Sequence, residues 1–298
     1  MFTKRVAALA KTRFFCCSTW HLFMTASQKQ AAPSRASAHW VGRVSAILAV
    51  VMSFFLIVPV LGLVWRALTL PGTAVLDQNS ISAAIFLSLS TTAVSVLLII
   101  LLGTPLAYYL ARYPLRFKRL VTVFVELPIV MPPVVAGLGL LAVFGRRGLI
   151  GLPLAELGIT ITFSGTAVVL AQVFVASPFY IRAAQSRFAA LPREFEDAAA
   201  VDGANQWQIF WHIMLPLSRN GLLAGLILSW ARALGEFGAT ILFAGNLQGR
   251  TQTMPLLVYA SLERDLRITF ITALILLGLA IFAFGITRWL IGLDAVEE

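Results

Sequence analysis

The chain has 298 residues, of which 59% are hydrophobic and 12% charged, with a mean hydropathy of +0.87 and a formal net charge of +10. Soluble domains carry about a quarter of their residues as charges, so this composition excludes an ordinary soluble enzyme or binding module. It implies an all-α polytopic membrane protein, and the basic residues along the edges of its apolar runs are accounted for by topology without nucleic acid.

Residues 1–43 carry Lys4, Arg5, Lys11, Arg13, Lys29, Arg35 and Arg43 with no acid, the first acid in the chain being Asp77. Phe14 to Met24 is apolar but too short and interrupted to span a bilayer. The segment is read as a basic, disordered cytoplasmic extension; a signal sequence, a transit peptide and a start at Met24 are the alternatives. Cys16 and Cys17 are adjacent, and no metal-ligand spacing accompanies them, so neither a disulfide nor a metal is expected.

Six spans follow, over 44–66, 81–111, 120–144, 165–186, 219–243 and 268–292, forming one domain over 44–292 with a short tail at 293–298. The third is expected to break between Leu127 and Pro133, because Pro128, Pro132 and Pro133 interrupt it. Freed backbone groups at membrane depth need protein or a wet cavity beside them, which places Pro132 and Pro133 next to a path. Glu126, just before the break, is expected to be a buried acid that either bonds those groups or lines an inner vestibule. Ser88, Ser90, Thr91, Thr92 and Ser95 in the second span are expected to bond their own backbone or a neighbouring helix.

Arg112, Arg116, Lys118 and Arg119 cluster between the second and third spans, which puts that loop and both termini in the cytoplasm. Arg146, Arg147, Arg250, Arg264 and Arg267 then fall in outer loops, Arg264 and Arg267 of them beside Glu263 and Asp265.

The stretch Pro192–Pro216 mixes both charge signs with strong helix formers. Glu194, Glu196 and Asp197 follow a proline, where a helix start favours negative charge. Ala198, Ala199 and Ala200 carry the helix to Gly203, where it should turn. Ile209, Phe210, Ile213 and Met214 recur at helical spacing, giving a second short helix closed by Leu215-Pro216. A helix–glycine–helix unit on the inner face is more than a loop requires, and suggests a docking surface.

In the fifth span, Arg232 and Glu236 lie four residues apart. A charge near the bilayer centre costs about 2.5–3.5 kcal/mol on insertion scales, so both should face the bundle interior and pair. They are either a self-neutralised structural pair or part of a gate. Gly235 and Gly238 permit close helix approach.

No phosphate-binding loop is present, since none of the four lysines follows a glycine, and the three histidines belong to no catalytic set. The chain is therefore read as not itself an enzyme, and no cofactor of its own is expected.

The spacing Asp197-Ala198-Ala199, Gly203, Ile213, Leu215, Pro216 resembles the EAA loop of ABC-importer permeases, with Asp in place of the family's Glu. Gly103–Tyr108, Glu126–Pro128 and Pro132–Gly137 resemble spans of oxyanion permeases, and Ala231–Thr240 with Ala244-Gly245-Asn246 and Gly249–Pro255 is similar to the molybdate permease family. The resemblance covers roughly residues 80–292. It implies an ABC type I importer permease fold, a homodimer enclosing one path, two cytoplasmic ATPase subunits that bind the ATP, and an external binding protein delivering a tetrahedral oxyanion. Molybdate is the first expectation; sulfate, thiosulfate or tungstate is the alternative, and a self-contained secondary anion transporter is the rival class. On the resemblance, residues 192–216 including Glu196 meet the ATPase, Arg232, Glu236, Glu126, Pro132 and Pro133 line the path or gate, and Gly245, Asn246, Thr251 and Gln252 face the binding protein.

Overall fold

The computed structural model describes residues 35–71 and 78–294, and side chains in these ranges except at 35–39, 41, 283 and 286–294. The cysteines, Phe14–Met24, Asp77 and the last residues of the tail lie outside it. Helix α1 (Arg35–Thr69) begins within the segment expected to be disordered, so residues 35–43 are helical. Its stretch Gly42–Thr69 has a mean hydropathy of 2.9, enough to cross a bilayer.

The following elements are all helices among the described residues: α2 (Gln78–Arg112), α3 (Lys118–Val130), α4 (Pro133–Phe144), α5 (Gly151–Glu156), α6 (Gly165–Ala190), α7 (Glu194–Val201), α8 (Gln206–Leu234), α9 (Gly238–Phe243), α10 (Met254–Leu262) and α11 (Leu266–Asp294). Four of them, α1, α2, α6 and α8, are singly long and apolar enough to span. The pair α3–α4 makes a fifth candidate, bent by 118°, and α11 is the sixth apolar helix, so the expected six spans are compatible with the fold.

Helix α6 is the centre. Its alanines at 167, 171, 176 and 184 are all fully buried, and small side chains let neighbouring backbones approach closely. On one side Tyr180, Ile181 and Phe188 pack with Ile99, Ala107 and Tyr108 of α2 and with Ile209, Met214 and Ala233 of α8. On the other, Ala167, Val168 and Val175 pack with Ala136 and Leu140 of α4 and Ala239 and Phe243 of α9.

Polar bonds cross these apolar contacts. Ser95 donates to Gln172 Oε1 at 2.9 Å, Gln172 Nε2 donates to Thr91 at 3.3 Å, and Thr104 and Tyr180 hydroxyls meet at 2.6 Å. Trp230 Nε1 on α8 reaches Thr92 at 3.2 Å, and the Met254 amide donates to Ser88 at 2.8 Å. Ser90, Thr91, Thr92 and Ser95 also donate to carbonyls three or four residues back on α2. The hydroxyls of this span thus fasten helices, as expected from their position.

The break in the third span falls at the late end of the expected stretch. Helix α3 passes through Pro128 and stops at Met131, whose extended backbone (φ −71°, ψ 128°) is what the residue before a proline adopts. The Met131 amide still bonds the Leu127 carbonyl and the Ala136 amide bonds Pro132, so the two prolines at 132 and 133 alone make the corner. Helix α4 then runs against α9 at Gly137, where a Cβ would stand 2.9 Å from the Ala239 carbonyl oxygen and 3.0 Å from its Cα. Both obstacles are backbone and cannot swing aside. Gly137→Ala should therefore cost about 1–3 kcal/mol, the range for overpacking, and lower the melting temperature of the detergent-purified protein; an unchanged melting temperature would show that α4 and α9 separate freely.

Candidate functional site

Three features follow one another along the chain from α7 to α10. The first is the unit over 192–216. Helix α7 carries Glu194, Glu196 and Asp197 in its first turn, as expected for the positive end of a helix. It ends in a Schellman closure: the Gly203 amide bonds Ala200, and the Ala204 amide bonds Ala199. Gly203 has φ +87°, the left-handed region where a side chain is strained. Two residues later a capping box starts α8, with Gln208 N bonding Asn205 Oδ1 at 2.9 Å and Asn205 N bonding Gln208 Oε1 at 2.8 Å.

The second helix of the unit does not close at Leu215-Pro216. It continues as one helix to Leu234, through a π turn at Phe210–Met214. The reason is local. Pro216 has no amide to bond His212, and the wider turn lets the Leu215 amide bond the Phe210 carbonyl five residues back. Docking unit and fifth span are consequently one continuous rod. The apolar face expected at 209, 210, 213 and 214 is present: Ile209 and Met214 are buried, and the Phe210 ring lies 4.9 Å from Tyr108 and 6.4 Å from Phe188. Asp197, Ala198, Gly203 and Pro216 are exposed; Ile213 and Leu215 are half-buried, as is Ala199, which packs against the same cluster as Ile209 and Met214.

Glu196 does not belong to that exposed face. Its carboxylate sits 2.7 Å from Nε of Arg112, the last residue of α2, whose side chain is only 6% exposed. Arg112 Nη2 also donates to the Leu191 carbonyl at 2.9 Å, and Arg193 Nη2 reaches back to the Arg112 carbonyl at 3.4 Å. Arg112 therefore clamps α2 to both ends of the α6–α7 link. In the sequence it reads only as one basic residue in a cluster.

The second feature is the break after α8. Arg232 Nη1 pairs with Glu236 Oε2 at 2.7 Å, as the four-residue spacing suggests. Glu236, however, lies past the helix end, because α8 stops at Leu234 and the fifth span does not run on to 243. The second carboxylate oxygen accepts from the Ala239 amide at 2.8 Å, so Glu236 also tethers the first turn of α9. Glu236 is 1% exposed while the Arg232 side chain is 29% exposed, which leaves the acid wholly dependent on these two donors. A Cβ at Gly238 would lie 2.6 Å from Pro133 Cβ, so the break after α8 rests on the corner between α3 and α4. The sequence-named Arg232, Glu236, Pro132 and Pro133 are thus brought to one place.

Glu126 stands apart from them and is not a buried acid bonding the backbone. Its carboxylate is 37% exposed and pairs at 2.8 Å with Arg182 of α6, itself half exposed.

The third feature is the loop 244–253. The Leu247 carbonyl takes the amides of Arg250, Thr251 and Gln252, and Thr251 Oγ1 takes the Leu247 amide at 2.9 Å. Thr251 is fully buried and holds the loop, so it presents no surface to a partner; Gln252 is also buried, while Gly245 and Asn246 are half-buried. Helix α10 immediately follows, where sequence reading had placed only loop. Among the described residues no group of His, Cys, Asp or Glu has metal-ligand geometry.

Residues 103–291 match the family described as "Binding-protein-dependent transport system inner membrane component". The molybdenum transport system permease protein ModB of Mycobacterium bovis is 41% identical over 213 residues, covering 69% of this chain and 81% of its own. The sulfate transport system permease protein CysW of Synechococcus elongatus is 37% identical over 203 residues, covering 68% and 71%. Among solved structures, a bacterial ABC transporter involved in import of the acidic polysaccharide alginate superposes with a TM-score of 0.66 at 17% identity, over 85% of this chain and 96% of that one. The inward-facing MetNI methionine ABC transporter gives a TM-score of 0.56 at 16% identity, over 70% and 93%. The fold is that of a type I importer permease, and the apolar helices are those of a multi-pass inner-membrane protein. This chain belongs to the family of inner-membrane components of binding-protein-dependent transport systems.

Proposed function

We propose that the chain is the permease subunit of an ATP-driven importer for a tetrahedral oxyanion, molybdate first, working as a homodimer with two cytoplasmic ATPase subunits and an external binding protein. ATP is bound by the ATPase partner, and both termini lie in the cytoplasm. The observation that carries this reading is the rod itself: an exposed acidic helix, α7, joined through a Schellman turn and a capping box to α8, which runs unbroken to the Arg232–Glu236 pair. Closure of an ATPase dimer against α7 would move α8 as a lever and disturb the break resting on Pro133. Phe195, Val201, Trp207 and Trp211 are apolar yet 46–87% exposed around this unit, which suits a partner surface. The choice of molybdate rests on the relatives' names and on Ala231–Thr240; sulfate, thiosulfate and tungstate remain rivals within the class.

The test reconstitutes the chain with its ATPase and binding protein in vesicles and follows radiolabelled molybdate. Uptake is expected to require ATP, and a cysteine at Ala199 is expected to crosslink to the ATPase. Gly203→Val places a branched side chain at positive φ, costing about 1–2 kcal/mol in that turn, and should lower uptake at least tenfold with the complex still assembled. Uptake that persists without the ATPase, or that Gly203→Val leaves intact, would favour a secondary transporter.

A further inference from the structure

At the end of α2 remote from Arg112 there is a cavity of about 390 Å³, lined by Ser80 of α2, Asn246, Gln248 and Gln252 of the 244–253 loop, and Arg264 after α10. Ser80 and Arg112 are separated by most of a 35-residue helix, a rise of about 48 Å, so the cavity and the coupling unit lie at opposite ends of the bundle.

Its chemistry is one-sided. Arg264 supplies a positive charge and has no ion pair among the described residues, and no carboxylate lines the cavity. The nearest acids are accounted for. Asp265 Oδ1 accepts the amides of Arg267 and Ile268 at 2.7 and 3.2 Å, capping α11, and Glu263 is exposed outside the cavity. Gln252 is 9% exposed as a residue and lines the cavity, but its side-chain amide atoms are not themselves sealed off without a partner. The side-chain N–H groups of an amide at a cavity wall can donate to a group that enters from outside. The main chain at Gln252 is held in place, because its backbone N–H and those of Arg250 and Thr251 are tied to the Leu247 carbonyl.

We propose that this cavity is an entry site for the tetrahedral oxyanion, holding it at the outer end of the permease between release from the binding protein and passage inward. The proposal rests on the oxyanion reading above. One guanidinium with neutral amide donors and no opposing carboxylate suits a dianion held loosely enough to leave. The volume admits the ion with part of its hydration, at about 30 Å³ per water. The depth of Gln252 favours a small free ion over an acidic side chain of a docked protein.

The experiment uses the whole permease–ATPase complex in lipid nanodiscs, without the binding protein, and measures equilibrium binding of radiolabelled molybdate at fixed ionic strength. Saturable binding is expected, weakened at least tenfold by Arg264→Gln and by Gln252→Leu and only partly by Arg264→Lys. Arg147→Gln, removing an exposed arginine elsewhere, should leave it unchanged. Basal ATPase activity and monodispersity report intact assembly of each variant. No saturable binding to the unaltered complex, or equal binding by the Arg264 and Gln252 variants, overturns the proposal. Loss of binding-protein association in Arg264→Gln without any direct anion binding overturns it too, and makes the cavity a protein-docking point. ATP-driven uptake is measured in parallel with the binding protein added. Uptake without cavity binding removes the entry site alone, whereas no oxyanion uptake at all removes the proposed function.

Discussion

Arg112→Ala should leave a complex that assembles and hydrolyses ATP but moves little or no oxyanion. The side chain is 6% exposed and bonds Glu196 and the Leu191 carbonyl at 2.7 and 2.9 Å. Breaking a buried ion pair by deleting one partner costs about 3–5 kcal/mol. The lower end applies here, because Glu196 keeps 21% of its side-chain surface in solvent. That loss is local and large. Helix α7 buries none of its own residues, so its fixed position depends on this clamp and on the Gly203 turn. Without the clamp, movement of α7 is spent in the link to α6 and does not reach α2. Glu196→Gln should also be costly, since it leaves the guanidinium of Arg112, 6% exposed, with neutral acceptors only. Reversing the pair, Arg112→Glu with Glu196→Arg, should not rescue uptake, because the Leu191 carbonyl would still lack its donor. The measurement is the ratio of transported anion to ATP hydrolysed in vesicles. A normal ratio for Arg112→Ala would end the argument that the clamp transmits force.

Arg232→Gln and Glu236→Gln should differ sharply, although they cut the same pair. Removing Arg232 strands a carboxylate that is 1% exposed, with the Ala239 amide as its remaining donor. An isolated buried charge of this kind costs about 3–5 kcal/mol unless it takes up a proton. Removing the charge from Glu236 leaves an arginine that is 29% exposed and can find water, and the new amide still accepts from Ala239. Arg232→Gln is therefore expected to lose most of its folded protein and Glu236→Gln to retain it. The double variant should recover much of the loss, since two neutral amides can bond each other. Uptake is then divided by the amount of assembled complex. A normal quotient for Arg232→Gln would make the pair purely structural; a quotient reduced tenfold or more would make it part of the gate.

The features legible in sequence were those written in local spacing. The acidic first turn, the alanines and Gly203 fix α7 and its closure within a dozen residues, so the docking unit could be read directly. The four-residue spacing likewise gave the Arg232–Glu236 pair. Features that depend on distant partners were not legible. Arg112 and Glu196 are 84 positions apart (196 − 112), and a basic residue at a span end looks the same whether it marks topology or clamps a helix. The pairing of Glu126 was not legible for the same reason, its partner Arg182 lying on another helix. Three prolines in six residues did not reveal which would bend the chain, because Pro128 is tolerated where the following amides still find carbonyls. Helix α10 is too short for a hydropathy pattern to separate it from loop, and α9 was read as the end of the fifth span.

The π turn at Phe210–Met214 gives the rod a property that an unbroken α-helix lacks. It packs one surplus residue into the shaft, and one residue corresponds to about 100° of winding. Rewinding that single turn would swing everything beyond Leu215 around its own long axis, carrying Arg232 off its bearing while Trp207 stayed still. Pro216, which has no amide to close the tighter ring, acts as the ratchet tooth that holds the shaft in its present setting.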